Sequence, residues 1–274
     1  MNSGLKYIIV FLISAVLINS CAYNKIKKDG TSDQKYDLAV DLFNKEKYAK
    51  AMPLLEEIIP VFKGTEKGED VYYKFAICNY KLQDYILAGY YYRKFAETYP
   101  SGKNTEEARW MSAYCYFLDA PKSSLDQTTT NQALDEFRFF LSKYPKSSKI
   151  PECNEIVAKL RDRLETKSYD NSILYYNLEY YKSASIALKN SKSDYPDTDY
   201  KELIFYYIMK SDLLYAQNSI SEKQFERYTK AEKSANEFIE KFPNSEYIND
   251  AKKISEKIQK EKQNLENSLS NKTE

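Results

Sequence analysis

Two kinds of hydrophobic patterning divide this chain of 274 residues. From Tyr7 to Ile18 the side chains are almost continuously apolar. From about residue 33 onward, apolar positions instead recur at three- and four-residue spacing, the pattern of helices that bury one face. Four of these amphipathic runs close alike, at Tyr99-Pro100-Ser101, Tyr144-Pro145-Lys146-Ser147, Tyr195-Pro196-Asp197-Thr198 and Phe242-Pro243-Asn244-Ser245. Proline stops a helix and biases the preceding residue toward an extended shape, and the polar residue that follows can cap the next helix. The spacing predicts helices over 33–45, 48–62, 69–82, 85–98, 105–118, 131–143, 150–179, 181–194, 200–217, 222–241 and 246–266. With only 6 glycines, short turns between helices fit better than a β architecture.

The runs are also in register with one another. Twelve residues before each proline stands a small side chain: Ala88, Ala133, Ala184 and Ala231. Eight before it stand Tyr92, Phe137, Leu188 and Ala235, and five before it Phe95, Phe140, Ser191 and Phe238. This resembles the second helix of the tetratricopeptide repeat. Ala76 precedes Ala88, and Ala39 precedes Ala51, by the offset expected of the small first-helix position. The expected fold is an all-α, tetratricopeptide-like α-solenoid of about five helix pairs plus a C-terminal helix, over residues 33–266, followed by a polar tail, 267–274. The pattern departs from the ideal in places. The proline intervals run from 45 to 51 residues, against about 34 for the repeat. Pro53 is expected to kink its helix, Asp119–Asn131 reads as an insertion, and Ser172 occupies a position usually held by Ala or Gly.

The first apolar run is too short for a transmembrane helix, which needs about 20 residues. Lys6 before it and Asn19-Ser20 after it give the layout of a secretory signal peptide over residues 1–20. Ile18-Asn19-Ser20-Cys21 is similar to a bacterial lipobox, in which Cys21 is acylated and becomes the first mature residue. An ordinary cleaved signal with an incidental cysteine is the other reading. Residues 21–32 read as a flexible tether, and Lys25, Lys27 and Lys28 within it could face anionic headgroups. Ala22 rather than Asp follows Cys21, and no acidic run comes next, so an outer-membrane, lipid-anchored, periplasm-facing address is expected.

Composition narrows the chemistry. Forty-one basic and 40 acidic side chains leave a net charge of +1, which gives no footprint for nucleic acid. There is no histidine, so histidine acid–base catalysis and histidine metal sites are excluded. No Gly-rich phosphate loop, nucleophile elbow or metal-ligand cluster is present, and neither enzyme activity nor a cofactor is expected. Cys78, Cys115 and Cys153 are an odd set with no Cys-x-x-Cys spacing. They read as small buried side chains, with a Cys78–Cys115 bridge as the alternative.

The lipobox, the five helix pairs and a mature length of about 250 residues together resemble the BamD family, lipoproteins of the outer-membrane β-barrel assembly machine. Ser124–Thr130 before Ala133 is similar to the third-repeat connection of Bacteroidetes-type members. Leu160-Arg161-Asp162-Arg163-Leu164 with Tyr175-Tyr176 resembles the family's long fourth-repeat helix, and Asp194–Thr198 its ending. The resemblance implies a non-catalytic scaffold. Its partners would be a BamA-like barrel subunit with periplasmic POTRA domains, unfolded outer-membrane proteins, and the membrane through the lipid. Another periplasmic repeat lipoprotein, a cell-envelope scaffold or sugar-uptake component, is the alternative.

Positions five and twelve of the first helices carry Tyr36 and Phe43, Tyr73 and Tyr80, and Trp110 and Phe117, with Tyr114 beside them. Seven-residue spacing puts each pair on one helical face. These rings are candidates for a groove that takes an extended or amphipathic client peptide. The competing reading buries them in the core. The lysines of 143–149, and Lys252, Lys253, Lys257 and Lys260, read as solvated faces, although the last helix could dock a partner subunit.

Overall fold

The computed structural model describes residues 23–270, with side chains to 268. Residues 1–22, which hold the expected signal segment and Cys21, and residues 271–274 at the end of the expected tail lie outside the described residues. Among the described residues the only regular structure is helical. Residues 23–29 form α1. Then follow α2 (Ser32–Asn44), α3 (Tyr48–Phe62), α4 (Glu66–Lys81), α5 (Tyr85–Thr98), α6 (Thr105–Asp119) and α7 (Thr128–Lys143). The chain continues through α8 (Ile150–Asn177), α9 (Tyr181–Asp194), α10 (Lys201–Gln217), α11 (Ser221–Lys241) and α12 (Ile248–Ser270). Within each unit consecutive helices pack as neighbours, α2 through α7 in one and α9 through α12 in the other, which is the tetratricopeptide-like solenoid arrangement. The chain divides into two compact units, one reaching Pro121 and including Asp126–Leu160, the other holding Lys122–Leu125 and everything from Arg161 on.

In the first unit the small positions do what the spacing predicts. Ala39, Ala51, Ala76, Ala88 and Ala133 are completely buried. Around them, Leu54, Leu55, Ile58, Val71 and Phe75 form one core between α2, α3 and α4. Tyr92, Phe95, Ala108 and Cys115 form the next, between α4, α5 and α6. Gly89 marks a close approach of α5 to α6. Ser112 Oγ of α6 donates to its carbonyl at 2.8 Å, and a Cβ on Gly89 would lie 3.1 Å from the Tyr116 ring. In the second unit Ala184 and Ala231 are likewise buried. Leu188, Ile204 and Ile208 make one cluster there, and Met209, Phe238, Ala251 and Ile258 belong to the other. Ser172 is 1% exposed, and its hydroxyl donates to the Ser168 carbonyl at 2.8 Å. A satisfied hydroxyl is therefore tolerated at the small position.

Three turns within helix pairs share one device. Glu46, Gln83 and Glu179 all have positive φ, at 57°, 64° and 62°. After each, an amide reaches back to close the preceding helix: Lys47 to the Leu42 carbonyl at 2.8 Å, Asp84 to Asn79 at 3.0 Å, and Tyr180 to Tyr175 at 2.9 Å. This is the Schellman closure, usually built on glycine. Here it is built three times on a charged or amide side chain, which adds local strain.

Two expectations change and one alternative is excluded. Residues 23–29, read as part of a flexible tether, are helical, and the Tyr23 hydroxyl donates to the Lys50 carbonyl of α3 at 3.2 Å. Cys78, Cys115 and Cys153 are buried free thiols, so no Cys78–Cys115 bridge forms. Burial pushes the first two thiols up to about 12, where no reactive thiolate exists at neutral pH. The α3 helix is continuous through Pro53 and Pro60. The insertion is shorter than expected, because the Asp126 carboxylate accepts from the Thr128 amide at 2.9 Å and α7 starts there.

Ala88→Leu is expected to cost about 1–3 kcal/mol, since the added methylenes must force α4 and α5 apart. Urea denaturation followed by circular dichroism would measure it, and an unchanged midpoint would show that the small position is not required. Gln83→Gly is expected to stabilise by about 0.5–1 kcal/mol, the left-handed strain relieved less the extra entropy glycine loses on folding.

Candidate partner-binding surface

The aromatic residues singled out by spacing all lie in the first unit, but at different depths. Tyr36 of α2 sits edge-on to Phe62 at 6.2 Å between ring centroids. Its hydroxyl donates to Asp70 of α4 at 3.0 Å. Phe43, two turns further along the same face, is edge-on to Tyr48 at 5.5 Å, with the Lys74 amine 5.5 Å from its ring. Lys74 in turn pairs with Asp70. Thus Tyr36 and Phe43 flank a small ionic cluster that fastens α2 to α4.

Tyr73 and Tyr80 share α4 but differ in surroundings. Tyr73 leans on Phe95 at 5.0 Å and Tyr92 at 5.9 Å, both of the α5 core. Tyr80 lies at the end of α4, 5.9 Å from Tyr85. On α6, Trp110 stacks on Tyr114 at 4.7 Å and 14°, and Tyr114 meets Phe117 at 5.9 Å. Trp110 is only 6% exposed and is covered by the Lys149 amine, 3.9 Å from its ring. It supports the surface rather than forming it. The other six rings are partly buried, each with one side against a neighbour.

The Tyr36, Tyr73 and Tyr80 phenols are held neutral at neutral pH. Burial, then the Asp70 carboxylate, pushes Tyr36 up to about 12. Burial pushes Tyr73 up to about 12 as well, and burial followed by the nearby Tyr114 raises Tyr80. These rings offer apolar area and hydroxyl hydrogen bonds, the combination enriched at binding hot spots. Behind it, Arg93 donates to Glu136 at 3.3 Å, and Arg109 lies 3.8 Å from the same carboxylate. These contacts tie α5 and α6 to α7.

The second unit holds surfaces that spacing did not single out. Leu174, Leu178 and Tyr180, at the α8–α9 turn, are 55%, 54% and 62% exposed. A cationic cavity lies between α9 and α11 over α10. Its signal in the sequence was Lys182 and Lys189 at helical spacing on one helix and Arg227 and Lys230 on another, separated by about forty residues. Among the described residues no group of three His, Cys, Asp or Glu side chains could hold a metal. None of the described helices is long and apolar enough to cross a membrane.

Fold and surfaces together define a tetratricopeptide-type helical-repeat protein whose accessible chemistry lies on helix faces and turns. The chain belongs to the YfiO family, the BamD-like outer membrane lipoproteins, whose family model matches residues 28–211. It is also 25% identical over 222 residues to a protein of Aquifex aeolicus (strain VF5) named as an outer membrane protein assembly factor, BamD. That match covers 78% of this chain and 71% of the relative.

Trp110 is the sole tryptophan, so its emission reports on this face directly. Tyr114→Ala is expected to red-shift that emission and increase its quenching by acrylamide, at a stability cost of about 0.5–1.5 kcal/mol for the lost ring pair. An unshifted spectrum would mean that Tyr114 does not shield the indole.

Proposed function

We propose that this protein is a non-catalytic, lipid-anchored subunit of the machinery that folds and inserts outer-membrane β-barrel proteins. In this reading Cys21 carries the lipid and the repeats face the periplasm. One partner is a BamA-like barrel subunit with POTRA domains, and the clients are unfolded outer-membrane proteins. The observation that carries the reading is the family match, which runs from α1 into α10. Two surface features support it. The exposed Leu174, Leu178 and Tyr180 are large apolar side chains of the kind that mark protein contacts. The half-buried rings of Tyr36, Phe43, Tyr80, Tyr114 and Phe117, underlain by Tyr73 and Trp110, give the first unit a neutral aromatic face suited to a client segment.

The test is affinity purification of the tagged, lipidated protein from mild-detergent envelope extracts, with mass spectrometry of what accompanies it. Stoichiometric recovery of a large protein with POTRA repeats and a membrane barrel is expected. Recovery of cell-wall or sugar-uptake proteins in its place would overturn the reading. For the client face, Tyr80→Ala with Phe117→Ala is expected to weaken binding of an unfolded barrel-protein peptide about tenfold or more while the fold survives.

A further inference from the structure

The second unit contains a cavity of about 160 Å³, lined by residues of α9, α10 and α11. Its α9 wall presents Lys182, Ile186 and Lys189, spaced so that all three lie on one helical face. Its α11 wall presents Arg227 and Lys230, and α10 contributes Asp212 and Tyr215. The charges are unevenly satisfied. Asp212, 6% exposed, accepts from Ser185 at 2.5 Å, Ser234 at 2.6 Å and Lys189 at 2.8 Å. Its carboxylate is filled from inside the unit and faces no missing cation. Lys230 pairs with Glu226 at 2.6 Å. Arg227 donates one N–H to Ser219 and lies 4.1 Å from the Tyr215 ring, with the rest of its donor fork uncommitted. Lys182 has no ion-pair partner among the described residues. The cavity therefore has two positive groups in surplus, one on each wall, beside the apolar surface of Ile186 and Tyr215.

We infer that this cavity binds an acidic side chain on a segment of a partner polypeptide, with its methylenes against Ile186 and Tyr215 and its carboxylate taken by Lys182 and Arg227. Three properties favour that occupant. The volume suits about one side chain, since a cavity near 150 Å³ holds a benzene-sized group. Arg227 offers the planar fork that recognises carboxylates, and Lys182 adds a point charge. Ile186 is 51% exposed, so an aliphatic stem there removes apolar surface from water. A bare phosphate would use the cations and leave that wall unfilled.

The test uses the full lipidated chain in detergent micelles and two fluorescein-labelled peptides. One is Gly-Ser-Leu-Glu-Leu-Glu-Leu-Ser-Gly, the other the same peptide with both Glu replaced by Gln. Fluorescence anisotropy is expected to show the Glu peptide binding about tenfold tighter, the scale of a charge-assisted contact. Lys182→Ala with Arg227→Ala should abolish that preference. Lys182→Ala alone, at an exposed position with no partner to lose, should reduce it with the melting temperature unchanged. Equal binding of the two peptides, or a preference that survives both variants, overturns the inference. So does full displacement by equimolar inorganic phosphate, which would make this a general anion site. Binding to phosphatidylglycerol vesicles that depends on Lys182 and Arg227, with no peptide preference, overturns it in favour of a membrane contact. The readout is a synthetic peptide, so failure here leaves the assembly reading standing, and failed copurification leaves this inference standing.

Discussion

The structure depends on how closely paired helices approach. Ala39 with Ala51, and Ala76 with Ala88, are completely excluded from water at equivalent places in successive repeats. A methyl group there lets two backbones come near enough for the larger neighbours on either side to interlock. A helix pair alone cannot bury its apolar face, so each pair becomes stable only when the next closes over it. The proline endings and the three Schellman turns serve this same constraint. They fix where each helix stops, and therefore where along the next helix the small residue lands.

The aromatic richness follows from the same geometry. Where alanines bring the backbones together, the volume beside the contact must be filled by side chains that are large and flat. The chain uses 27 tyrosines for much of this. Tyr72, for example, meets Tyr91, Phe95 and Tyr99 at 6.2–6.4 Å, each ring filling space between α4 and α5. Tyrosine suits a site where one end is dry and the other wet, because its hydroxyl needs a partner and water supplies one. A face packed in this way keeps a margin of accessible ring without exposing a bare apolar patch. Packing and the proposed recognition are thus assigned to the same residues at different depths.

Depth is what the sequence could not show. Periodicity located nearly every helix, because proline and the alanine register punctuate the chain strongly. The misses have local chemical causes. Thr65 caps α4 through the Gly68 amide at 3.0 Å, so the helix begins at Glu66, ahead of its first strongly apolar residue. At α7 the Asp126 carboxylate, one residue before the cap position, accepts from the first helical amide, that of Thr128. The aromatic positions were placed on one side of their helices, yet spacing alone does not distinguish Trp110, sealed beneath Tyr114 and Lys149, from Phe117 at the margin. The cavity of the second unit was less legible still. Its walls come from helices far apart in sequence, and a net charge near zero conceals a local surplus that only folding assembles.

The two units consequently present different chemistries. Both place cations over rings, Lys67 5.0 Å from Tyr36 and Lys149 3.9 Å from Trp110 in the first, Lys192 4.5 Å from Phe205 and Arg227 4.1 Å from Tyr215 in the second, but in the first the candidate rings themselves are the exposed chemistry. Phenols held neutral by burial make contacts there that depend little on salt. In the second, Lys182 and Arg227 stand at a cavity with charge left over, and attraction to a carboxylate there weakens as salt screens it. A neutral aromatic face tolerates many sequences, because ring area sets few directional demands. A cationic cavity of one side chain's volume accepts few, because an uncharged occupant leaves Lys182 without an ion pair and most of the Arg227 donor fork unused. In the proposed function, indifference to sequence suits clients that arrive unfolded and varied, and discrimination suits a partner whose position must be fixed.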